Sequence, residues 1–595
     1  AHQPMCNPQK TIWIVYNGEV YNFQSEREYL EKVGYSFVSR SDTEVILHLY
    51  EHFGEDFLLR LRGMFALAVY DKRRGPGKEK LLLARDQFGI KPLLYARRGE
   101  KLIFASEIKA MLASDWVEPQ IDLEGLRLLL TLGSVYQPHT LLQDVKMLPP
   151  SHRLVIDGNQ ERLERYWCLD IDRVKGLRTS APEDHVEQVA LMMQELVKMQ
   201  MVSDVPIGAF LSGGVDSSMI VGIMARNAGK RIKTFSVGYG EEGSHLDETD
   251  DAKRTAEFLG TDHSRVVVDG RMVRDHLERI VIGLDQPSVD GVNSYFVSHA
   301  ARQAVTVAVS GTGGDEIFAG YPWFIQMALY EKQSSKIMLR SIAYHALNVF
   351  LSRIYKKSKK VDSQLRLRDT IKSGGFLWNY GNTYHIFGSA GTAKLFSPEI
   401  SQKVRLGTPL SEDIRACDEL PFGKAVERVT ALCLRGYTNN QLLRDIDATS
   451  MIHSLEVRVP FLDVPLVDLA LSLPVSAKLG RIDASANPYL TSYRDSGSKK
   501  VLVDAGWKLG LLRPDIYDQP KRGFTMPFDA WLKGPLRDIM EDTLSESVTQ
   551  ARGLFNVGQI TKIKQDFIDG NSAWSYPWLL MMIELWQRNV LGSGV

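Results

Sequence analysis

Ser212-Gly213-Gly214-Val215-Asp216-Ser217-Ser218 follows the apolar run Val205-Pro206-Ile207-Gly208-Ala209-Phe210-Leu211 and precedes Met219-Ile220-Val221-Gly222-Ile223-Met224. The first run reads as a buried strand and the second as a helix start, so the seven residues form a strand-to-helix turn. Glycines let backbone approach a ligand closely, and the free amides of a helix N-terminus, with three serine hydroxyls, offer donors to a polyanion. The stretch is a candidate phosphate cradle. It lacks the lysine of the GxxxxGK[ST] pattern, and Asp216 stands ready instead to hold a divalent cation against phosphate oxygens. Without its flanks the same stretch would be a Gly-Ser turn capping a helix.

Working outward, residues 186–201 carry apolar side chains at helical spacing, 231–238 read as a strand, 247–259 as a helix and 263–268 as a strand. This alternation predicts an α/β domain with a doubly wound, mostly parallel sheet and ligands beyond the carboxyl ends of its strands. A second strand, 305–309, runs into Ser310-Gly311-Thr312-Gly313-Gly314-Asp315-Glu316. Asp315 is expected to face Asp216 across a nucleotide, the two carboxylates bracketing magnesium on its phosphates. An isolated Asp-Glu at a glycine turn would be a helix cap.

Composition bounds the class. At 595 residues the chain exceeds one hydrophobic core, and two or more domains are expected. Seventy-two Lys and Arg balance 72 Asp and Glu, which gives no field for nucleic acid or an anionic membrane. Cys6, Cys168, Cys417 and Cys433 form no CxxC pair, which points to a reducing, cytoplasmic setting without a zinc or disulfide framework. No apolar run reaches membrane-spanning length. A basic segment over 332–387, with Arg353-Ile354-Tyr355-Lys356-Lys357 at its centre, reads as a solvated helical insertion or a docking surface.

The first 167 residues follow a different pattern. Thr11-Ile12-Trp13-Ile14-Val15-Tyr16 is a β-rich run leading to Asn17-Gly18-Glu19-Val20-Tyr21-Asn22, where Asn17-Gly18 alone is a turn signal. Ser41-Asp42-Thr43-Glu44 opens a helix. Residues 63–71 and 80–86 read as strands joined by a turn around Gly75 and Gly77, followed by Gln87-Phe88-Gly89-Ile90-Lys91-Pro92-Leu93 and, further on, Arg165-Tyr166-Trp167.

The glycine loop resembles the PP-motif of ATP pyrophosphatases, and the ordered blocks together resemble the glutamine-hydrolysing asparagine synthetase family of class II amidotransferases. The resemblance implies an Ntn-hydrolase-type glutaminase domain (αββα) over 1–168, a linker over 169–184 and a synthetase domain over 185–595. It implies ATP and Mg2+ as cofactors, and glutamine, ammonia and a small carboxylate, L-aspartate foremost, as reactants, with a homodimer as the assembly. In such glutaminases the nucleophile is an N-terminal cysteine; Cys6 is not at its position, and the sequence is expected to begin inside the domain, after that residue. Asn17 and the Gly18 amide are implied as the oxyanion hole, with Glu19 and Asp42 on the glutamine α-amino group. Leu211, Ser212, Gly213, Gly214, Asp216, Ser217, Val237, Ser310 and Gly311 are implied on ATP, and Asp216 and Asp315 on the metal. Lys499, in Ser498-Lys499-Lys500, is implied on pyrophosphate, and Lys521, in Pro520-Lys521-Arg522-Gly523, on the charge that develops during amide formation. Thr312 and Asp447 fall on the acceptor side. The family's usual glutamate is replaced by Thr312, which cannot act as a base. Either another acid serves, or the acceptor differs from aspartate.

Overall fold

A computed structural model describes residues 2–174, 181–332 and 376–592, except 382, 405–415, 417–418, 421–422, 481–490, 520–522 and 524. In the N-terminal part, strands Met5–Cys6, Ile12–Val20, Gly63–Asp71, Lys80–Arg85, His152–Asp157 and Gln160–Arg165 form an antiparallel sheet in that order. Phe65, Leu67 and Val69 alternate toward one face, where Val45, Ile46 and Leu49 of helix Asp42–Phe53 cover them. Ala66 and Ala68 point the other way, onto Leu93, Tyr95 and Leu148 around a second sheet of Lys101–Ala105, Leu94–Arg98 and Val145–Met147. The far side of that second sheet, through Leu94, Ala96 and Met147, packs on Leu126, Leu129 and Leu130 of helix Leu123–Leu132. The layers are therefore αββα. Strand Gly63–Asp71 reads as one apolar run because both of its faces are buried.

The C-terminal part is built on five parallel strands in the order Asp262–Val268, Lys233–Tyr239, Ile207–Phe210, Val307–Val309 and Glu456–Arg458. Along the chain this is 3-2-1-4-5, so the winding direction reverses between Ile207–Phe210 and Val307–Val309. Such a switch point leaves a crevice at the strand ends. Helices Pro182–Gln200, Val215–Asn227 and Lys500–Lys508 cover one face. Gly270–Leu284, Val292–Arg302 and Ser575–Trp586 cover the other.

Two local expectations shift. Asn17 and Gly18 do not turn the chain; they lie inside strand Ile12–Val20, opposite Ala66 and Phe65. Helix Val215–Asn227 starts within the glycine stretch, which puts Asp216 on its first turn rather than in the loop. Within 169–184 the described residues include the short helix Ile171–Val174 and the start, at Pro182, of helix Pro182–Gln200. The centre of the basic segment and Cys417 lie outside the described residues. Among the described residues no helix is long and apolar enough to cross a membrane.

Candidate active site

The two strands at the switch point end side by side, and their loops enclose a cavity of about 510 Å3. Leu211, Ser212, Asp216 and Ser217 line it from the first loop, Ser310, Gly311, Thr312 and Asp315 from the second, and Val237 from the neighbouring strand. Gly213 and Gly214 are not on its wall. Gly213 has φ +81, and a Cβ there would lie 2.7 Å from the Asp251 carbonyl carbon, so its bareness serves packing against helix Thr249–Leu259. Gly214 is the N-cap of helix Val215–Asn227. The Ser212 and Ser217 hydroxyls lie 3.1 Å apart, and that of Ser217 also donates to the Gly214 carbonyl. Ser218 is buried off the wall, so two of the three loop serines face the cavity.

Lys499 itself is not on the cavity wall; its ammonium lies 2.5 Å from Asp216 Oδ2 and 2.6 Å from Asp315 Oδ1, both of which are. Lys499 is 1% exposed; burial alone would lower its pKa, but the two carboxylates hold it above the ordinary lysine range. It occupies the left-handed N-cap position of helix Lys500–Lys508, φ 54, which turns its side chain back under the loops. Gly320 makes the arrangement possible, since a Cβ there would lie 1.9 Å from Asp315 Oδ1 and 2.2 Å from Lys499 Cε. Gly314 does the same for Asp216, with 2.7 Å from its Cβ position to Oδ1. The sequence signal for these roles was only a glycine near an acid.

The rest of the wall carries residues that the motifs did not single out. Tyr321 and Trp323 stack at 4.2 Å, and Tyr437 meets both edge-on. Glu316, Asp290 and Asp445 are further acids on the wall. Burial, reinforced by Asp315, pushes the Glu316 carboxyl up to about 7, and it accepts hydrogen bonds from the hydroxyls of Tyr321 and Thr438, each 3.0 Å away. Burial and neighbouring Asp445 push Asp290 up to about 6. The Thr312 hydroxyl lies 2.9 Å from that of Ser310. Asp447 is placed elsewhere: its carboxylate takes a 2.7 Å hydrogen bond from Lys91 of the N-terminal part, and Asp445 and Ile446 hold the wall instead. Lys521 lies outside the described residues; Gly523, two positions on, lines the cavity.

In the N-terminal part, Asn17 Nδ2 lies 3.4 Å from Ser106 Oγ. Asp42 Oδ2 accepts from the Tyr16 hydroxyl at 2.8 Å and the Val20 amide at 3.2 Å. Glu19, on the same strand, lies 3.6 Å from Arg458 of the C-terminal part, and burial pushes its carboxyl up to about 7 against that attraction. Cys6 sits half-buried in the edge strand, opposite Trp13.

A family model described as "Asparagine synthase" matches residues 188–588, and one described as "Glutamine amidotransferase domain" matches residues 1–167. The chain is 31% identical over 556 residues to asparagine synthetase [glutamine-hydrolyzing] 1 of Bacillus subtilis strain 168, covering 92% of this chain and 81% of that protein. It is 32% identical over 496 residues to asparagine synthetase [glutamine-hydrolyzing] 3 of the same organism, covering 80% and 72%. It is also 27% identical over 603 residues to amidase chry2 of Gibberella zeae, covering 96% and 84%. The chain belongs to the asparagine synthase family of glutamine-dependent carbon–nitrogen ligases, and ATP use follows from that membership.

Proposed function

We propose that the chain adenylates a carboxylate, foremost that of L-aspartate, and transfers to it ammonia drawn from glutamine, giving asparagine, AMP and pyrophosphate. The observation that carries this reading is the convergence of Asp216 and Asp315, from two different loops, on one buried cationic centre at the switch point. A carboxylate does not react with ammonia because its oxide is a poor leaving group. Attack of its oxygen on the α-phosphorus expels pyrophosphate and leaves an acyl-adenylate; ammonia then forms the C–N bond while AMP departs with the C–O electron pair.

Leu211 and Val237, on the cavity wall, would hold the adenine, while Ser212, Ser217, Ser310 and the Gly311 backbone, on the same wall, would face its phosphates. Lys499 would move from the carboxylates toward the departing pyrophosphate, and Lys521 would offset charge as ammonia attacks. Asp216 and Asp315 fit Mg2+: they supply oxygen donors that already converge on a cation. Among the described residues no group of three or more His, Cys, Asp or Glu could hold a metal, so phosphates and water would complete the shell. Bound there, Mg2+ would neutralise phosphate charge. In the N-terminal part, Asn17 and the Gly18 amide would hold the oxyanion of glutamine hydrolysis, and Glu19 and Asp42 the α-amino group.

The stacked Tyr321 and Trp323 put an aromatic face on the cavity wall, on which a bulkier acid, such as a sugar acid or a peptide acid, would pack; amidation of such an acid is the second reading. Mass spectrometry of reactions with ATP, Mg2+, ammonium and L-aspartate tests both. Asparagine with equimolar AMP and pyrophosphate is expected. Amidation of another acid only would move the assignment to the second reading, and orthophosphate release would overturn the ligase chemistry itself.

A further inference from the structure

Displacement of AMP by ammonia sheds one proton, because nitrogen enters with three hydrogens and stays with two. Resting on the ligase reading above, a basic group on the cavity wall would speed the step by taking it. The Thr312 hydroxyl has no basicity to offer. Beyond Asp216 and Asp315, four acids line the cavity: Glu248, Asp290, Glu316 and Asp445.

Two of these are locked. Glu316 is 1% exposed under its two hydroxyl donors, and Asp445, 2% exposed, takes the Ser288 hydroxyl at 2.5 Å and the Arg444 guanidinium at 2.7 Å. Glu248 immediately precedes helix Thr249–Leu259, which packs under Gly213 at the nucleotide end. Asp290 differs. It stays half-buried at the cavity, in the turn before helix Val292–Arg302, whose first residues Asn293 and Ser294 share the wall with it. Its Oδ1 accepts from the Gly291 amide at 2.8 Å, and the Gln441 side chain hydrogen-bonds the carboxyl. Gly291, at φ +98, fixes the turn, since a Cβ there would lie 2.8 Å from a Leu284 methyl carbon.

We propose that Asp290 is the catalytic base of the amide-forming step, taking the proton that ammonia loses on attacking the acyl-adenylate. The nitrogen lone pair makes the C–N bond, the C–O bond to AMP breaks with its electron pair going to the phosphate oxygen, and one N–H proton passes to the Asp290 carboxylate and then to water. Burial, and after it neighbouring Asp445, supports this role by making Asp290 more basic than an ordinary aspartate.

The test separates the two half-reactions in Asp290→Asn. With ammonium and the acceptor that the wild type amidates, tried in the order L-aspartate, sugar acids and peptide acids, amide formation is expected to fall about a hundredfold or more. Acceptor-dependent exchange of labelled pyrophosphate into ATP, which needs no ammonia, is expected to stay within about threefold of wild type. Amide formation at the wild-type rate would overturn the assignment of Asp290 alone. Loss of exchange together with amide formation would also overturn it, assigning Asp290 to binding or folding. A wild type that neither exchanges pyrophosphate nor amidates any of these acids would overturn the ligase reading, and this proposal with it.

Discussion

Asp216, Asp315 and Lys499 form a triad in which no member is replaceable by its neighbour, because the two acids share one buried cation. Asp216→Ala or Asp315→Ala is expected to abolish pyrophosphate release while the other acid remains, since one carboxylate cannot hold both Lys499 and a metal on the phosphates. Gly320→Ala is a sharper probe, because it changes no charge. Its added Cβ would sit 1.9 Å from Asp315 Oδ1 and 2.2 Å from Lys499 Cε, and the crowd is walled in by burial. At least a tenfold loss of pyrophosphate release is expected, with folding retained by circular dichroism; full activity would mean that the Lys499 side chain is not held where the structure puts it.

At the scale of elements, the wall between the two halves is the continuous helical stretch formed by Leu434–Leu442, wound as a π-helix, and Leu443–Met451. One side of it, through Tyr437, Leu442, Asp445 and Ile446, lines the cavity. The other side grips the turn after strand Lys80–Arg85: Asn439 Nδ2 donates to the Phe88 carbonyl at 2.6 Å, and Asp447 accepts from Lys91. That turn is held rigid by the buried Asp86 carboxylate, which accepts the amides of Phe88, Ile90 and Lys91. π-Helical turns inside helices occur often at functional sites. The Lys91–Asp447 pair is buried, with side chains 4% and 12% exposed. Removing one partner from such a pair costs about 3–5 kcal/mol, whereas replacing both by apolar groups can be nearly neutral. Lys91→Met should therefore lower the thermal midpoint clearly, and Lys91→Met with Asp447→Leu should recover most of the loss. Equal loss in both variants would show that the pair contributes by its charge and not merely by avoiding an orphaned one.

For the whole molecule, what was legible in the sequence follows how far apart the interacting residues lie. Strand 63–71 and four of the five parallel-sheet strands stood out because burial writes itself into local periodicity, whereas the three-residue strand Glu456–Arg458 is too short to show it. The two glycine loops stood out because each carries its chemistry within seven residues. Asp290, the aromatic wall and the Lys91–Asp447 pair did not, because their meaning depends on contacts between segments up to hundreds of residues apart. Asn17-Gly18 misled as a turn because the close pairing with strand 63–71, where a Cβ on Gly18 would lie 2.0 Å from the Met64 carbonyl oxygen, also demands glycine.

The same long-range burial sets the pH response. Burial pushes Asp285, Asp290 and Asp463 up to about 6, and Glu19 and Glu316 up to about 7. A carboxyl whose folded pKa is raised contributes stability fully below its unfolded pKa, near 4, and loses it as pH rises through the folded value. His385 and His453, pushed down to about 4 by burial, act oppositely: their contribution is complete above about 6.5 and is lost as pH falls toward 4. Between pH 6 and 8 Glu19 and Glu316 cross their folded pKa and lose their contribution, while the unfolded histidines, including His152, His263 and His299, which burial also lowers, shed their remaining protons and offset that loss. Glu316→Gln, which cannot ionise, is therefore expected to have a thermal midpoint that falls less, or rises more, between pH 6 and pH 8 than that of the ligand-free wild type. Equal shifts in the two proteins would mean that Glu316 is ionised in the folded protein well below pH 6.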